Sequence, residues 1–158
     1  MPIAPKLTTA VACRVARINR DRFNEHVAAG AFGCAPQTIP GRARLFDPDD
    51  MIALWLFREL MDDGFNASRA GSIACEVARA AREHPQATTI SYVQDYFPVR
   101  GFAYPYDDVP AVEDWGKVLF PAGSDIRKTT NFRIDKLRDM IAHYTAEEAA
   151  IIGDPDAE

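Results

Sequence analysis

No run of about 18 apolar residues occurs in the sequence, so no segment is expected to cross a membrane as a helix. The opening MPIAPKLTTAVACRV carries one lysine and no uninterrupted apolar block. No signal peptide is therefore expected, and the reading is a cytoplasmic protein. Cysteine is scarce: Cys13, Cys34 and Cys75 form an odd, widely spaced set without a C-x-x-C pair. That pattern argues against both a disulfide framework and a structural zinc site. Cys13 and Cys75 fall within helical patterns and read as small buried apolar groups, whereas Cys34 falls in a loop. Histidine is equally thin, with His26, His84 and His143 far apart in the chain. No Gly-rich phosphate loop and no G-x-S-x-G appears. The acidic pairs Asp107-Asp108 and Glu113-Asp114 stand in loops and read as solvated. With no catalytic constellation, an enzyme is not expected, and neither a cofactor nor a metal is.

What is present is an ordinary globular composition, 47% hydrophobic and 26% charged over 158 residues. That is room for one domain, or a very small domain plus a dimerisation element. The net charge of −5 hides an asymmetry. Residues 1–46 hold seven basic groups (Lys6, Arg14, Arg17, Arg20, Arg22, Arg42, Arg44) against two acidic ones (Asp21, Glu25), a balance of +5. The other 112 residues hold 11 basic and 21 acidic groups, a balance of −10. The expectation is a basic working surface on an acidic body.

Local patterns divide the chain further. Thr8-Thr9 precede AVACRVARI, a short helical stripe with a threonine cap. Asn19 caps a second short helix, RDRFNEHVAA, which Gly30 stops. On that helix Phe23 and Val27 face inward with His26 alongside, and Asp21, Arg22, Asn24 and Glu25 point out. Two short helices with hardly any linker read as a helix-turn-helix. AFGCAPQTIPGRARLF has no helical period and reads as a hairpin turning at Pro40-Gly41. Asp47-Pro48 opens a third helix ending at Gly64, and Asn66 opens a fourth that runs to about Glu83. Residues 88–97, 117–121 and 129–134 read as strands separated by turn-rich segments. The aromatics Tyr92, Tyr96, Phe97, Phe102, Tyr104, Tyr106, Trp115 and Phe120 read as a core, with a pocket for a small apolar ligand as the alternative. Asp135 caps a last helix that carries Leu137, Ile141, Tyr144 and Ile151 on one face.

Phe23, the exit Gly30 and Phe32, then Gly41, Arg44, Phe46 and Asp50, then Gly64-Phe65 follow one another in a definite order and spacing. Over about residues 7–80 the chain thereby resembles the N-terminal domain of the MerR family of transcription regulators. The expected fold is α+β. It comprises a MerR-like winged helix-turn-helix over 7–84, then a strand-rich segment and a C-terminal dimerisation helix over 85–153. The sequence departs from the family pattern at Asn24 and Glu25, where an arginine-tyrosine pair is usual, and at Arg17, where glycine is common. Side-chain chemistry suits the same role: Arg22, Asn24 and Glu25 match guanine, adenine and cytosine edges. Arg14 and Arg20 suit phosphates beside the turn, and Arg42 and Arg44 suit phosphates or a minor groove. The expected protein is a bacterial or phage regulator with double-stranded DNA and a second copy of itself as partners. The two copies would pair through Leu137, Ile141 and Tyr144, with no membrane and an unidentified effector. Two alternatives stand beside it. One is a protein-interaction adaptor on a winged-helix scaffold. The other is a solvated arginine face with Arg14–Asp21 and Arg22–Glu25 pairs.

Overall fold

The computed structural model describes residues 5–38, 40–41, 43–95, 101–116 and 125–152. The chain is mixed α and β and folds as two compact units. One unit combines Met1–Cys75 with Lys136–Glu158, and the other is Glu76–Asp135. The sequence division at residue 84 differs in two ways: the boundary falls inside the fourth helix, and the last helix belongs with the N-terminal half.

The first unit starts with strand β1 (Leu7–Thr8), helix α1 (Thr9–Ala16) and helix α2 (Arg20–Ala28). Thr8 caps α1 by accepting from the Val11 amide, and Asn19 caps α2 by accepting from the Arg22 amide at 3.0 Å. Strand β2 (Leu45–Phe46) pairs antiparallel with β1, Leu7 opposite Phe46. The hairpin expected around Pro40-Gly41 is thus replaced by a pairing with a partner from the start of the chain. Among the described residues, 31–38 form no strand, since Pro36 and the missing alternation leave nothing to pair. Helix α3 (Pro48–Asp62) opens on a reciprocal cap in which Asp47 and Asp50 each accept from the other's amide. Every residue from Met51 to Phe57 is buried, so α3 is surrounded by the rest of the unit. Phe23 packs edge-on against Phe32 and Phe46, and Phe32 in turn meets Phe57.

Helix α4 (Ala67–Glu83) follows, and its first half belongs to this unit. At Gly71 a Cβ would stand 1.7 Å from the Ala31 carbonyl oxygen, so only glycine allows α4 to lie on the exit from α2. One turn further on, Cys75 is bonded to Cys34, with Cα atoms 5.7 Å apart. The expectation of no disulfide is therefore corrected. Spacing in the chain, 41 residues here, says nothing about proximity once two elements pack face to face. Cys13 is free and buried, as read.

The second unit is a three-stranded antiparallel sheet in the order β4-β3-β5, with β3 (Thr89–Asp95), β4 (Gly101–Pro105) and β5 (Ile126–Arg133). The second half of α4 and two single turns, Tyr106–Asp108 and Val112–Asp114, complete it. β4 lies in a segment read as turns, because Gly101 and Pro105 at its ends mask the short alternating run between them. The strand expected at 117–121 lies outside the described residues. Tyr92 is buried and its hydroxyl accepts from the Gly101 amide at 2.9 Å. The smaller core of Val93 and Ile126 is covered by Tyr104, Val109 and Trp115. On edge strand β4, the Ala103 carbonyl accepts from Arg79 and the Ala103 amide faces Glu76, so an ion pair on α4 shields that edge.

Helix α5 (Ile134–Ile152) closes the chain, and from Lys136 onward it belongs to the first unit. Leu137 and Ile141 are only 7% and 5% exposed. Tyr144 stacks on Trp55 of α3, ring centres 5.8 Å apart and planes 19° apart. The stripe expected to meet a second copy is therefore spent inside one chain. α5 has a nearby apolar partner in α3 within the same chain. Ile151, placed on the same face from sequence, is exposed.

Candidate functional site

Four of the basic residues of the N-terminal stretch, Arg14, Arg17, Arg20 and Arg22, lie at or beside the turn between α1 and α2. α1 runs out through Arg17, which adopts the left-handed conformation at φ 60°, ψ 40°, with its amide returned to the Arg14 carbonyl. The next amide, of Ile18, returns to the Cys13 carbonyl at 3.0 Å, and Asn19 then starts α2. This three-residue connection leaves no slack, so each helix fixes the other's direction.

On α2 the buried pole is Phe23, with Val27 and His26 half-buried beside it. His26 packs edge-on against Phe57, which makes it a packing residue. Arg20, Asp21, Arg22, Asn24 and Glu25 are all exposed. At 100° per residue, Asp21 and Glu25 stand opposite Phe23, and Arg22 and Asn24 flank them on either side. The outward face thus presents both donors and acceptors with balanced charge, and Asp21 lies in the first turn, where the helix dipole favours an acid.

The remaining expected contact residues are less free. Arg14 keeps 51% of its side chain exposed, but its Nε donates to Glu148 on α5 at 3.0 Å. The pairing considered from sequence, Arg14 with Asp21, is replaced by this contact between elements far apart in the chain. Arg44 donates to the Pro36 carbonyl, which makes it a tether of the segment between α2 and β2. Arg42 lies outside the described residues.

Sequence reasoning missed a connected stack. The Arg17 guanidinium lies 4.8 Å from the Tyr144 ring centre, Tyr144 stacks on Trp55, and Arg58 lies 5.2 Å over the other ring, Trp55. Arg58 also donates to the Ala16 carbonyl at 3.0 Å and pairs with Asp62 at 2.9 Å. Through this stack α5 and α3 hold the end of α1 and the position of the turn. The available signal was Arg17 itself, a large cation where a glycine is conformationally cheaper.

Burial pushes the Cys13 thiol up to about 11 even though Arg20 pulls the other way, so it stays a neutral packing group beneath the turn. In the second unit the Arg79 guanidinium is held charged by its hydrogen bonds to Glu76 and Glu83. The Tyr104 hydroxyl is raised by burial and then by Glu76. Neither geometry presents a nucleophile beside a base. Among the described residues no group of histidine, cysteine and acidic side chains is arranged to hold a metal, and no helix is long and apolar enough to cross a membrane. Compared with models of known protein families the chain matches none, and no curated protein is similar to it in sequence.

Proposed function

We propose that the first unit is a winged helix-turn-helix that binds duplex DNA and that the protein regulates transcription. The observation that carries this reading is α2 itself. It is anchored by Phe23 on one side, fixed by a three-residue turn, and shows an exposed row of Arg20, Arg22, Asn24 and Glu25. Arginine and asparagine offer paired hydrogen bonds to guanine and adenine, and glutamate accepts from cytosine. The balanced charge of that face suits discrimination among bases. Phosphate attraction is then supplied by Arg17, Arg20 and the half-exposed Arg14 around the turn. A single such unit makes few base contacts, so two copies on an inverted repeat remain part of the proposal. They would pair through a surface other than Leu137, Ile141 and Tyr144.

The test is selection of genomic fragments by the purified protein, followed by titration of the selected duplex over a range of salt. Binding should weaken steeply with salt, and Arg22→Ala or Asn24→Ala should cost about 1–3 kcal/mol on the selected site while sparing random duplex. Sedimentation of the complex should give two copies per site. Equal losses on selected and random duplex would make these side chains phosphate contacts. One observation favours a second reading, an adaptor that binds another protein: the exposed face of α2 has no net positive charge. An adaptor would ignore duplex at every salt concentration.

A further inference from the structure

The disulfide lies at a position that the packing of the unit does not need. The exit from α2 is already fixed to its surroundings by Phe32, buried against Phe23 and Phe57, and by the close approach of Gly71 to Ala31. Both fixings precede Cys34. Beyond it, residues 35–44 form neither helix nor strand where described, until Phe46 is buried in β2. Among the described residues this stretch is tied to α4 at its start by Cys34–Cys75, and Arg44 at its end reaches back to the Pro36 carbonyl within it. Cys34 and Cys75 are each only half-buried, in contrast to Cys13 at 2% exposure. The bond thus lies nearer the surface than the free thiol, and the segment that follows it has neither helix nor strand where described.

We propose that Cys34 and Cys75 form a thiol–disulfide switch that sets the order of the segment between α2 and β2. In the reducing direction a thiolate of an external dithiol attacks one sulfur, the Cys34–Cys75 bond breaks, and the other cysteine leaves as a thiolate and takes up a proton. The second thiol of the dithiol then resolves the mixed disulfide. Two protein thiols and the oxidised dithiol result, with two electrons transferred. A small disulfide drives the same steps backwards. Reduction leaves Phe32, Gly71 and α3 in place and unties the described part of the segment, residues 35–38, 40–41 and 43–44, from α4. On the DNA-binding reading, on which this part rests, that segment is the wing, so the reduced protein binds duplex more weakly.

The experiment uses the full chain, prepared oxidised and after dithiothreitol, with the Cys34→Ser/Cys75→Ser variant beside it. Arg42 and Arg44 provide tryptic sites in the segment. Cleavage there should speed up roughly tenfold on reduction, with the helical circular dichroism unchanged. The serine variant should be cleaved at the reduced rate under both conditions. The melting temperature should fall by about 10 °C, since a loop of this length is no longer closed in the unfolded chain. Equal cleavage in the two states overturns the proposal. So does a dithiothreitol effect that persists in the serine variant, or loss of helical signal on reduction, which would make the bond a staple of the core. Duplex titration in both states separates the two ideas. No binding in either state defeats the DNA reading and leaves cleavage to decide the switch. Equal binding in both states, with cleavage changed, confines the switch to the segment.

Discussion

Arg17 stands where two neighbouring helices use glycine. α1, α2 and α3 each run out through one residue of positive φ, and these are Arg17, Gly30 and Gly64. A side chain with a Cβ is strained there, and what holds it is the ring of Tyr144 beneath the guanidinium. Arg17→Gly and Arg17→Ala both lose that contact, but only glycine relieves the backbone. The glycine variant should therefore be the more stable of the two by about 1 kcal/mol in urea unfolding. Identical midpoints would show that the turn relaxes freely. Cys13 makes a second prediction at this scale. Its thiol ordinarily titrates near 9.0 and is held up to about 11 in the folded chain. Below pH 9 both states are protonated and stability is unaffected. From pH 9 to 11 the unfolded chain loses the proton while the folded chain keeps it, so stability falls as pH rises, by at most about 2–3 kcal/mol. Subtracting the same titration of Cys13→Ala isolates this contribution, and a pH-independent difference between the two proteins would rule it out.

Helices are where local chemistry speaks most clearly. Thr8, Asn19 and Asp47 each cap the helix that their position announces, and Gly30 and Gly64 end the helices they follow. These signals act within four residues and need no tertiary context, which is why they are legible in the sequence. The outward row on α2 is legible for the same reason, since Phe23 alone sets the helix phase. Pairings across the chain are not. β1 and β2 are two residues each and find one another across 36 intervening residues, so neither carries a pattern of its own. The Arg14–Glu148 contact, the Cys34–Cys75 bond and the stack on Tyr144 all join elements whose meeting depends on how helices pack. Gly71 belongs to this class too. In the sequence it interrupts an alanine-rich helix, and in the fold it is the point of contact with Ala31. Gly71→Ala should improve helix propensity yet destabilise the protein by about 3 kcal/mol, because the new methyl group meets a backbone oxygen that cannot swing aside. The expected loss in melting temperature is roughly 6–12 °C, and a rise would show that the two segments separate easily.

At the scale of the whole molecule, the first unit is discontinuous in sequence: its last helix arrives only after the 60 residues of the second unit, Glu76–Asp135. Tyr144 stacks on Trp55, and Ile141 is buried in the same unit. A chain cut after Asp135 should therefore lose the cooperative unfolding of the first unit, and proton NMR of Trp55 and its neighbours should show collapsed dispersion. A truncated chain that retains native dispersion would mean that α5 only decorates the surface. The same discontinuity has a bearing on biosynthesis. Domains that are contiguous in sequence fold in the order in which they leave the ribosome. Here the part made first must wait, with Trp55 of α3 uncovered, until α5 has been made. The sheet unit, complete by residue 135, is finished earlier. Any pause in translation between residues 76 and 135 therefore prolongs the exposure of Trp55 to chaperones and to other nascent chains.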